Sequence, residues 1–155
     1  MTVLLIFDWD GTLSDSTLNI VHCLQQAAKS AGFPVLQDDV IVDIIGLGMP
    51  EAMQRLYPEL DADEKEQIKQ AYFEHFILSD QQPPPLFDGV LDGLQTLQNA
   101  GFLLAVATGK SRRGLERAIK SARLEQFFTS TRCADETASK PHPLMLYELL
   151  DEFKL

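Results

Sequence analysis

The sequence has little cysteine and few basic residues, and it has no long apolar run. Its two cysteines, Cys23 and Cys133, show no CxxC or metal-ligand spacing, which favours buried, reduced thiols. Lys and Arg number 13 against 23 Asp and Glu, for a formal net charge of −10. This charge repels nucleic acid and anionic membranes, so neither is expected as a partner.

The first apolar run, Val3 to Phe7, is too short for a targeting or membrane segment. It has no basic residue before it and meets Asp8 after five residues, which argues against a signal peptide and a membrane span. We therefore expect a cytoplasmic protein. The 155 residues, 45% of them hydrophobic, are enough for a compact unit with a real core.

Two regions of different periodicity make up the chain. Val3 to Phe7 is apolar without alternation, which is typical of a central strand covered on both faces in a parallel sheet. Residues 16 to 80 show helical spacing. Gln81 to Pro85 predicts a stiff, extended linker, because proline restricts its own backbone and that of its neighbour. The helices predicted before this linker cover residues 17–31, 39–45, a short stretch after the loop Gly46 to Pro50, and 61–78.

Local signals mark the ends of these helices. Ser16 or Thr17 is expected to cap the first helix, and Gly32 to stop it. Asp61 and Glu64 have the spacing of a capping box at the start of the last one.

Beyond the linker, helices and strands alternate. The patterns predict a helix over 88–100, a strand over 102–107, a helix over 113–122, an extended stretch over 127–133 and a last helix from Pro143. We therefore predict an α/β fold. Its parallel, Rossmann-like sheet core comprises residues 1–14 and 86–155, and a helical domain of residues 15–85 is inserted after the first strand.

Acidic and hydroxyl side chains stand where two of the predicted strands end. Asp8 and Asp10 follow the first strand, and Thr108 follows the second. Ligands bind beyond the carboxyl ends of the strands in an open α/β sheet, so these side chains should converge. One carboxylate is then suited to act as a nucleophile and the other as a general acid and base.

Positive and amide groups complete the predicted site. The amides of Gly109 and Lys110 at a helix start, with the Thr108 hydroxyl, make an oxyanion cradle. Lys140 adds a full positive charge from another turn. Together these groups indicate phosphoryl transfer through an aspartyl phosphate.

Each candidate also has a structural interpretation. Asp8 and Asp10 are then solvated turn residues, Thr108 is a helix cap and Lys140 is a surface lysine. Several other residues are expected to have structural roles. Ser16 is expected to cap a helix, and Phe73 and Phe76 to lie in the core. Lys110, Arg112 and Arg113 are expected to form a mainly solvated helix face.

The segments "DWDGT", "ATGK" and "SKP", in this order, resemble the first three motifs of the haloacid dehalogenase-like superfamily. Within it, the chain is most similar to the phosphoglycolate phosphatase-like phosphatases with a helical cap. The resemblance covers all 155 residues, including the position of the helical insert, which corresponds to the cap.

The resemblance implies roles for particular residues. Asp8 would be the nucleophile and a Mg²⁺ ligand, and Asp10 the acid/base residue whose carbonyl also meets the metal. Thr108 would bind the phosphoryl group, and Lys140 would stabilise its charge. The resemblance also implies a small phosphorylated metabolite, phosphoglycolate by default, as substrate. The resemblance also implies substrate or phosphate binding by further residues. These are Gly11, Thr12, Gly109 and Lys110 in the core, and Gly46 and Gly48 in the loop from Gly46 to Pro50.

One departure from the family pattern concerns the metal site. The family continues to a fourth motif with further acids, which this sequence lacks, and only three parallel strands are predicted. Val3 to Phe7 is then expected at an exposed edge, to be covered by further chain or by another subunit, as in a homodimer. Asp135 and Glu136 are the candidate substitute ligands.

Other functions compatible with these motifs are a phosphomutase and a silent fragment or pseudoenzyme that binds ligand without turnover. A phosphoacceptor signalling domain fits less well, because such a domain places its acceptor on a middle strand.

Overall fold

The fold is α/β, as predicted, and its sheet is parallel. A computed structural model describes residues 2–79 and 83–155. Within these ranges, the strands are β1 (Leu4–Phe7), β2 (Leu103–Thr108) and β3 (Ser130–Cys133). The helices there are α1 (Thr17–Ala31), α2 (Asp38–Val42), α3 (Met49–Leu56), α4 (Ala62–Ser79), α5 (Val90–Asn99), α6 (Arg112–Ala122) and α7 (Leu144–Phe153).

The strands pair in the order β1-β2-β3, so β2 is central and β1 is an edge strand of the described sheet. Leu4 lies opposite Leu103, and Ala105 lies opposite Ser130. The interpretation of the first apolar run as a central strand is therefore wrong for this sheet, whereas its expected exposure at an edge is confirmed. All four residues of β1 are only partly buried, although their composition is that of a covered strand.

Side chains of β2 divide between the two faces of the sheet, because successive residues of a strand point to opposite sides. Leu104 and Val106 join one apolar cluster with residues of α5 and α6. Ala105 and Ala107 join a second cluster with Met145 of α7. The small alanine side chains allow α7 to pack closely on that face.

Helices α1 to α4 form a separate apolar cluster, to which α1 contributes the largest number of buried residues. Gly32 ends α1 in the left-handed conformation at φ +81°, as predicted. Asp61 and Glu64 form the predicted capping box, since each backbone N–H donates to the other's carboxylate at 2.9 Å. Phe73 was predicted in the core but is 37% exposed.

Helix α2 is shorter than predicted. It ends at Val42 rather than near residue 45, because the amides of Ile44 and Ile45 bond three residues back, in turns. These turns lead the chain into the loop at Gly46, which approaches the sheet.

Paired backbone segments join the helical insert to the sheet. The Asp15 amide donates to the Pro85 carbonyl at 2.8 Å, and the Phe87 amide donates to the Leu13 carbonyl at 3.0 Å. The insert therefore begins and ends at adjacent points, close to the carboxyl end of β1. Within the predicted linker, Gln81 and Gln82 lie outside the described residues.

Two further expectations concern the cysteines and membranes. Cys23 and Cys133 are both buried and free, as predicted. Burial raises the pKa of the Cys133 thiol to about 12, which disfavours its reactive thiolate. Among the helices of the described ranges, none combines the length and apolar character needed to span a bilayer.

Candidate active site

Asp8 and Thr108 lie at the carboxyl ends of neighbouring strands. Phe7, just before Asp8, is opposite Val106 in the register of β1 and β2. Thr108 is buried, and its hydroxyl accepts a hydrogen bond from the Lys110 amide at 3.2 Å. Thr108 is not the helix cap of the alternative interpretation, because the Ser111 side chain caps α6 instead.

The turn after β1 holds Asp8 and Asp10 rigidly. The Trp9 carbonyl accepts three backbone amides within this turn, at 2.9 to 3.2 Å. Gly11 adopts φ +77°, a conformation that favours glycine, and its amide donates to the Ser14 carbonyl. The buried Trp9 ring packs edge-on against Phe128 beneath this loop.

These turn bonds bear on two predicted phosphate contacts. The amides of Gly11 and Thr12 are already used, by the carbonyls of Ser14 and Trp9. These two amides therefore shape the loop, and a contact of Gly11 or Thr12 with a phosphate stays a prediction.

Each aspartate is held by its own lysine. Lys140 Nζ lies 2.8 Å from Asp8 Oδ1, and these side chains are 26% and 29% exposed. Lys110 Nζ lies 3.2 Å from both oxygens of Asp10, and both side chains are only 12% exposed. The two carboxylates are thus brought together with two ammonium groups at one edge of the sheet.

Two of these contacts correct the expectations from sequence, and the Lys140–Asp8 contact excludes an alternative interpretation. Lys110 does not belong to a solvated helix face, and Lys140 is not a free surface lysine. Ser16 does not cap α1 with its side chain, because its hydroxyl donates to Asp10 Oδ1 at 2.8 Å. Phe76 is partly buried as expected, but its ring also lies 4.9 Å from Lys110 Nζ, a cation–π contact.

Arg112 is also engaged, and its partners remove two candidate metal ligands from the site. Its guanidinium makes two 2.7 Å bonds to Glu136, and its amide donates to Asp135 Oδ1 at 2.9 Å. Asp135 and Glu136 therefore tie the loop after β3 to the start of α6. The arginine bonds lower the pKa of the Glu136 carboxyl.

The loop of residues 46–48, hereafter the cap loop, packs directly on the strand ends. Gly46 has φ +100°, and a Cβ there would lie 3.5 Å from Asp8 Oδ2. A Cβ on Gly109 would lie 2.6 Å from the Gly46 carbonyl oxygen and closer still to that of Leu47. The Gly48 amide donates to Ser139 Oγ at 3.0 Å. The absence of a side chain at Gly109 is what permits this approach.

In the described part of the chain, three cavities adjoin the aspartates. A cavity of about 320 Å³ is lined by Asp10, Ser16 and Lys110. The cap loop lines the other two. One, of about 430 Å³, is lined by Asp8, Lys140 and His142. The other, of about 70 Å³, lies between Asp10 and the apolar face of the helical insert, and Tyr72 lines it. Burial, and secondarily the charge of Asp10, raises the pKa of the Tyr72 hydroxyl well above its usual value.

The donors present fit a magnesium ion. One carboxylate oxygen of Asp8 accepts a hydrogen bond from Lys140. The other oxygen lies beside Gly46, which lines the larger cavity. In the part of the chain that the structure describes, no group of three or more His, Cys, Asp or Glu side chains is arranged to hold a metal. Mg²⁺ commonly takes one or two carboxylates together with water and a substrate phosphate, which matches this sparse set.

The family follows from a match over nearly the whole chain. Residues 5–155 match the model described as haloacid dehalogenase-like hydrolase. The chain belongs to the haloacid dehalogenase-like hydrolase family. The motifs DWDGT, ATGK and SKP therefore predicted the family correctly.

Among the curated proteins to which this haloacid dehalogenase-like hydrolase is similar are several phosphatases. It is 28% identical over 160 residues to a phosphoglycolate phosphatase of Vibrio cholerae, covering 98% of this chain and 71% of the relative. It is 34% identical over 150 residues to "Probable phosphatase IndB" of Dickeya dadantii, covering 94% of this chain and 65% of that protein. The chain therefore spans about two thirds of the length of these relatives. The chain is similar to phosphoglycolate phosphatases, among the phosphoric monoester hydrolases.

A solved structure supports the fold. The chain superposes on a predicted phosphoglycolate phosphatase from Haemophilus somnus with a TM-score of 0.87, at 24% identity, covering 100% of this chain and 72% of that one. This similarity confirms the Rossmann-like core.

Proposed function

We propose that this chain hydrolyses the phosphate monoester of a small, phosphoglycolate-like metabolite through an aspartyl phosphate on Asp8. The observation that carries the proposal is the paired arrangement at the strand ends. Asp8 is held by Lys140 at 2.8 Å, and Asp10 is held by Lys110 and Ser16 within 3.2 Å. We retain residues 15–85 as a proposed cap domain, since their apolar cluster is separate from those of the sheet.

The first step of the proposed reaction forms a bond from an Asp8 oxygen to phosphorus. The ester P–O bond breaks, and the leaving oxygen takes a proton from Asp10. In the second step, water loses a proton to Asp10 and attacks the phosphorus, which releases phosphate and restores Asp8. Thr108, at the end of β2, and Lys140, bonded to Asp8 from the loop before α7, would hold the phosphoryl oxygens.

Electrostatic repulsion is the main obstacle to the first step. A carboxylate about 3.5 Å from a phosphate dianion feels repulsion of roughly 9 kcal/mol at an effective dielectric constant of about 20. Lys140 offsets part of this because it lies beside the attacking carboxylate. A Mg²⁺ ion held by the Asp8 carboxylate and the Asp10 carbonyl would supply further positive charge opposite the phosphate.

The test is metal-dependent phosphate release by the 155-residue chain. Wild type, Asp8→Asn and Asp151→Asn would be assayed on phosphoglycolate and an aryl phosphate, with and without Mg²⁺. Asp151 is an exposed aspartate on α7 and serves as the matched control. We expect turnover that requires Mg²⁺ and that falls by about 10⁴-fold or more in Asp8→Asn only.

Three outcomes would contradict the proposal. Turnover that survives Asp8→Asn would place the nucleophile elsewhere. A folded wild-type chain without turnover would instead be a silent, ligand-binding protein. Transfer of phosphate to a second position of the substrate, without release, would indicate a phosphomutase.

A further inference from the structure

The smaller cavity beside Asp10 has an unusual chemical lining. Its charged lining residues within the described ranges are Asp10 and Lys110, which are paired with each other. The helical insert contributes mainly apolar side chains, among them Ile20 and Met53. Tyr72 is the side chain in this wall that combines an apolar ring with a neutral hydroxyl.

The volume of this cavity limits what it accepts. It measures about 70 Å³, against roughly 300–1,000 Å³ for pockets that hold drug-sized ligands. Asp10, the proposed proton donor to the leaving group, lines it, whereas Asp8 lines the larger cavity. Asp10 also lines a cavity of about 320 Å³, but among the described residues that cavity shares no lining residue with the one at Asp8. The small cavity shares Gly46 and Leu47 with it, so of the two cavities at Asp10 it is the one that adjoins the phosphate side at Asp8.

Tyr72 is held firmly at this position. It is 7% exposed, and its ring packs against Phe73 and Phe76 at centroid distances of 5.7 and 5.6 Å. Phe76 in turn contacts Lys110, the partner of Asp10. Ring packing therefore connects Tyr72 to Lys110 and, through the ion pair, to Asp10, the proposed acid/base residue.

A second buried tyrosine of the insert provides a comparison. The Tyr57 hydroxyl donates to the Pro34 carbonyl at 2.9 Å, so it serves the internal structure of the insert. Tyr57 is 6% exposed, close to the value for Tyr72, but it does not line the cavity at Asp10. The two residues thus have equal burial and different surroundings.

We propose that Tyr72 is a specificity-determining residue, whose hydroxyl donates a hydrogen bond to an oxygen at the far end of a short leaving group. That oxygen belongs to the carboxylate or hydroxyl of a phosphomonoester with two or three carbons. The proposal rests on the proposed function and names the feature of the substrate that the cap recognises. A hydrogen-bonding site discriminates strongly against an analogue that lacks the bonded group.

The kinetic test compares two substrates of equal length. Phosphoglycolate ends in a carboxylate, and ethyl phosphate has a methyl group in its place. We expect Tyr72→Phe to lower kcat/KM about 10- to 100-fold on phosphoglycolate and less than about threefold on ethyl phosphate. Tyr57→Phe should lower thermal stability and leave the ratio of the two kcat/KM values unchanged. An equal effect of Tyr72→Phe on both substrates, or no effect, would overturn the proposal.

A binding test separates this proposal from the proposed function. Asp8→Asn, with and without Tyr72→Phe, would be titrated calorimetrically with each substrate in Mg²⁺. We expect the Asp8→Asn protein to bind phosphoglycolate at least 10-fold more tightly than ethyl phosphate, and Tyr72→Phe to remove this preference. That result supports the role of Tyr72 even if the wild type shows no turnover. Equal affinities, or no saturable binding of either compound, refute it.

Discussion

The paired lysines are the feature of single residues on which the chemistry depends most. Two carboxylates close together on one turn repel each other, and each ammonium group offsets that repulsion locally. Lys110 and Asp10 are only 12% exposed, so solvent screens their attraction less than it screens a surface pair. Ser16 adds a hydrogen bond that fixes the orientation of Asp10.

Lys140→Met should lower the rate without unfolding the chain. Methionine keeps the length of the side chain but removes the charge beside Asp8, so we expect kcat to fall about 10²- to 10³-fold. The control is Lys120→Met, at an exposed position of α6. Phosphate release with saturating substrate measures the effect, and circular dichroism checks the fold. Equal rates for the two variants would show that Lys140 has no part in the chemistry.

At the scale of secondary-structure elements, the site is assembled where the cap loop contacts the strand ends. The backbone carbonyls of Gly46 and Leu47 approach Gly109 too closely for any side chain there. Ser139, next to Lys140, accepts the Gly48 amide from across this contact. The cap loop and the turn that holds Lys140 are thus joined.

Gly109→Ala should displace the cap loop and lower kcat/KM by 10-fold or more, because the new methyl group clashes with backbone atoms. Gly93→Ala is the matched control. A Cβ at Gly93, within α5, meets nothing within 4 Å, and alanine there should stabilise the helix by about 0.5–1 kcal/mol. Phosphate release and urea unfolding report the two effects. If Gly109→Ala behaved like Gly93→Ala, the cap loop would not need this close approach.

For the whole molecule, stability in acid depends on carboxylates that are bonded in the folded state. Glu136 binds Arg112, and the Cys133 amide donates to it at 3.1 Å, so its pKa lies below the usual 4.5. A carboxyl whose pKa is depressed on folding contributes stability above its unfolded pKa. That contribution is lost as the pH falls through the lower, folded pKa.

Glu136→Gln should therefore reduce the dependence of Tm on pH. We expect the wild type to lose thermal stability as the pH falls below about 4.5, and the variant to start lower and lose less over the same range. The exposed Glu125 provides the control substitution, Glu125→Gln. Thermal melts followed by circular dichroism between pH 7 and pH 3 measure both. If Tm fell equally with pH in wild type and Glu136→Gln, the Glu136 carboxyl would not contribute to stability in acid.

Short-range patterns were enough for much of the fold. The capping box at Asp61 and Glu64, the helix end at Gly32 and the buried thiols all depend on neighbours in sequence or on composition. The approach of Asp8 and Thr108 was also predictable, because parallel strands that end in polar residues bring them to one edge. The helical insert and its position followed from a change in periodicity.

Long-range contacts were not predictable in the same way. Nothing local to Lys110 indicates that it pairs with Asp10, 100 positions earlier, or that Phe76 covers it. Ser16 had the sequence signature of a helix cap, yet its hydroxyl was drawn to a carboxylate that the fold placed beside it. Tyr72 matched an apolar helix face, and its cavity exists only where that face meets the strand ends.

The amino-acid order thus specified which chemical groups stand at the strand ends, because strand and turn propensities act over a few residues. It also specified the net negative charge and the family. The packing of the insert on the sheet decided which lysine holds which aspartate, how close the cap loop comes and how small the cavity between Asp10 and the insert is. These properties depend on contacts between segments far apart in sequence, so only the folded chain defines them.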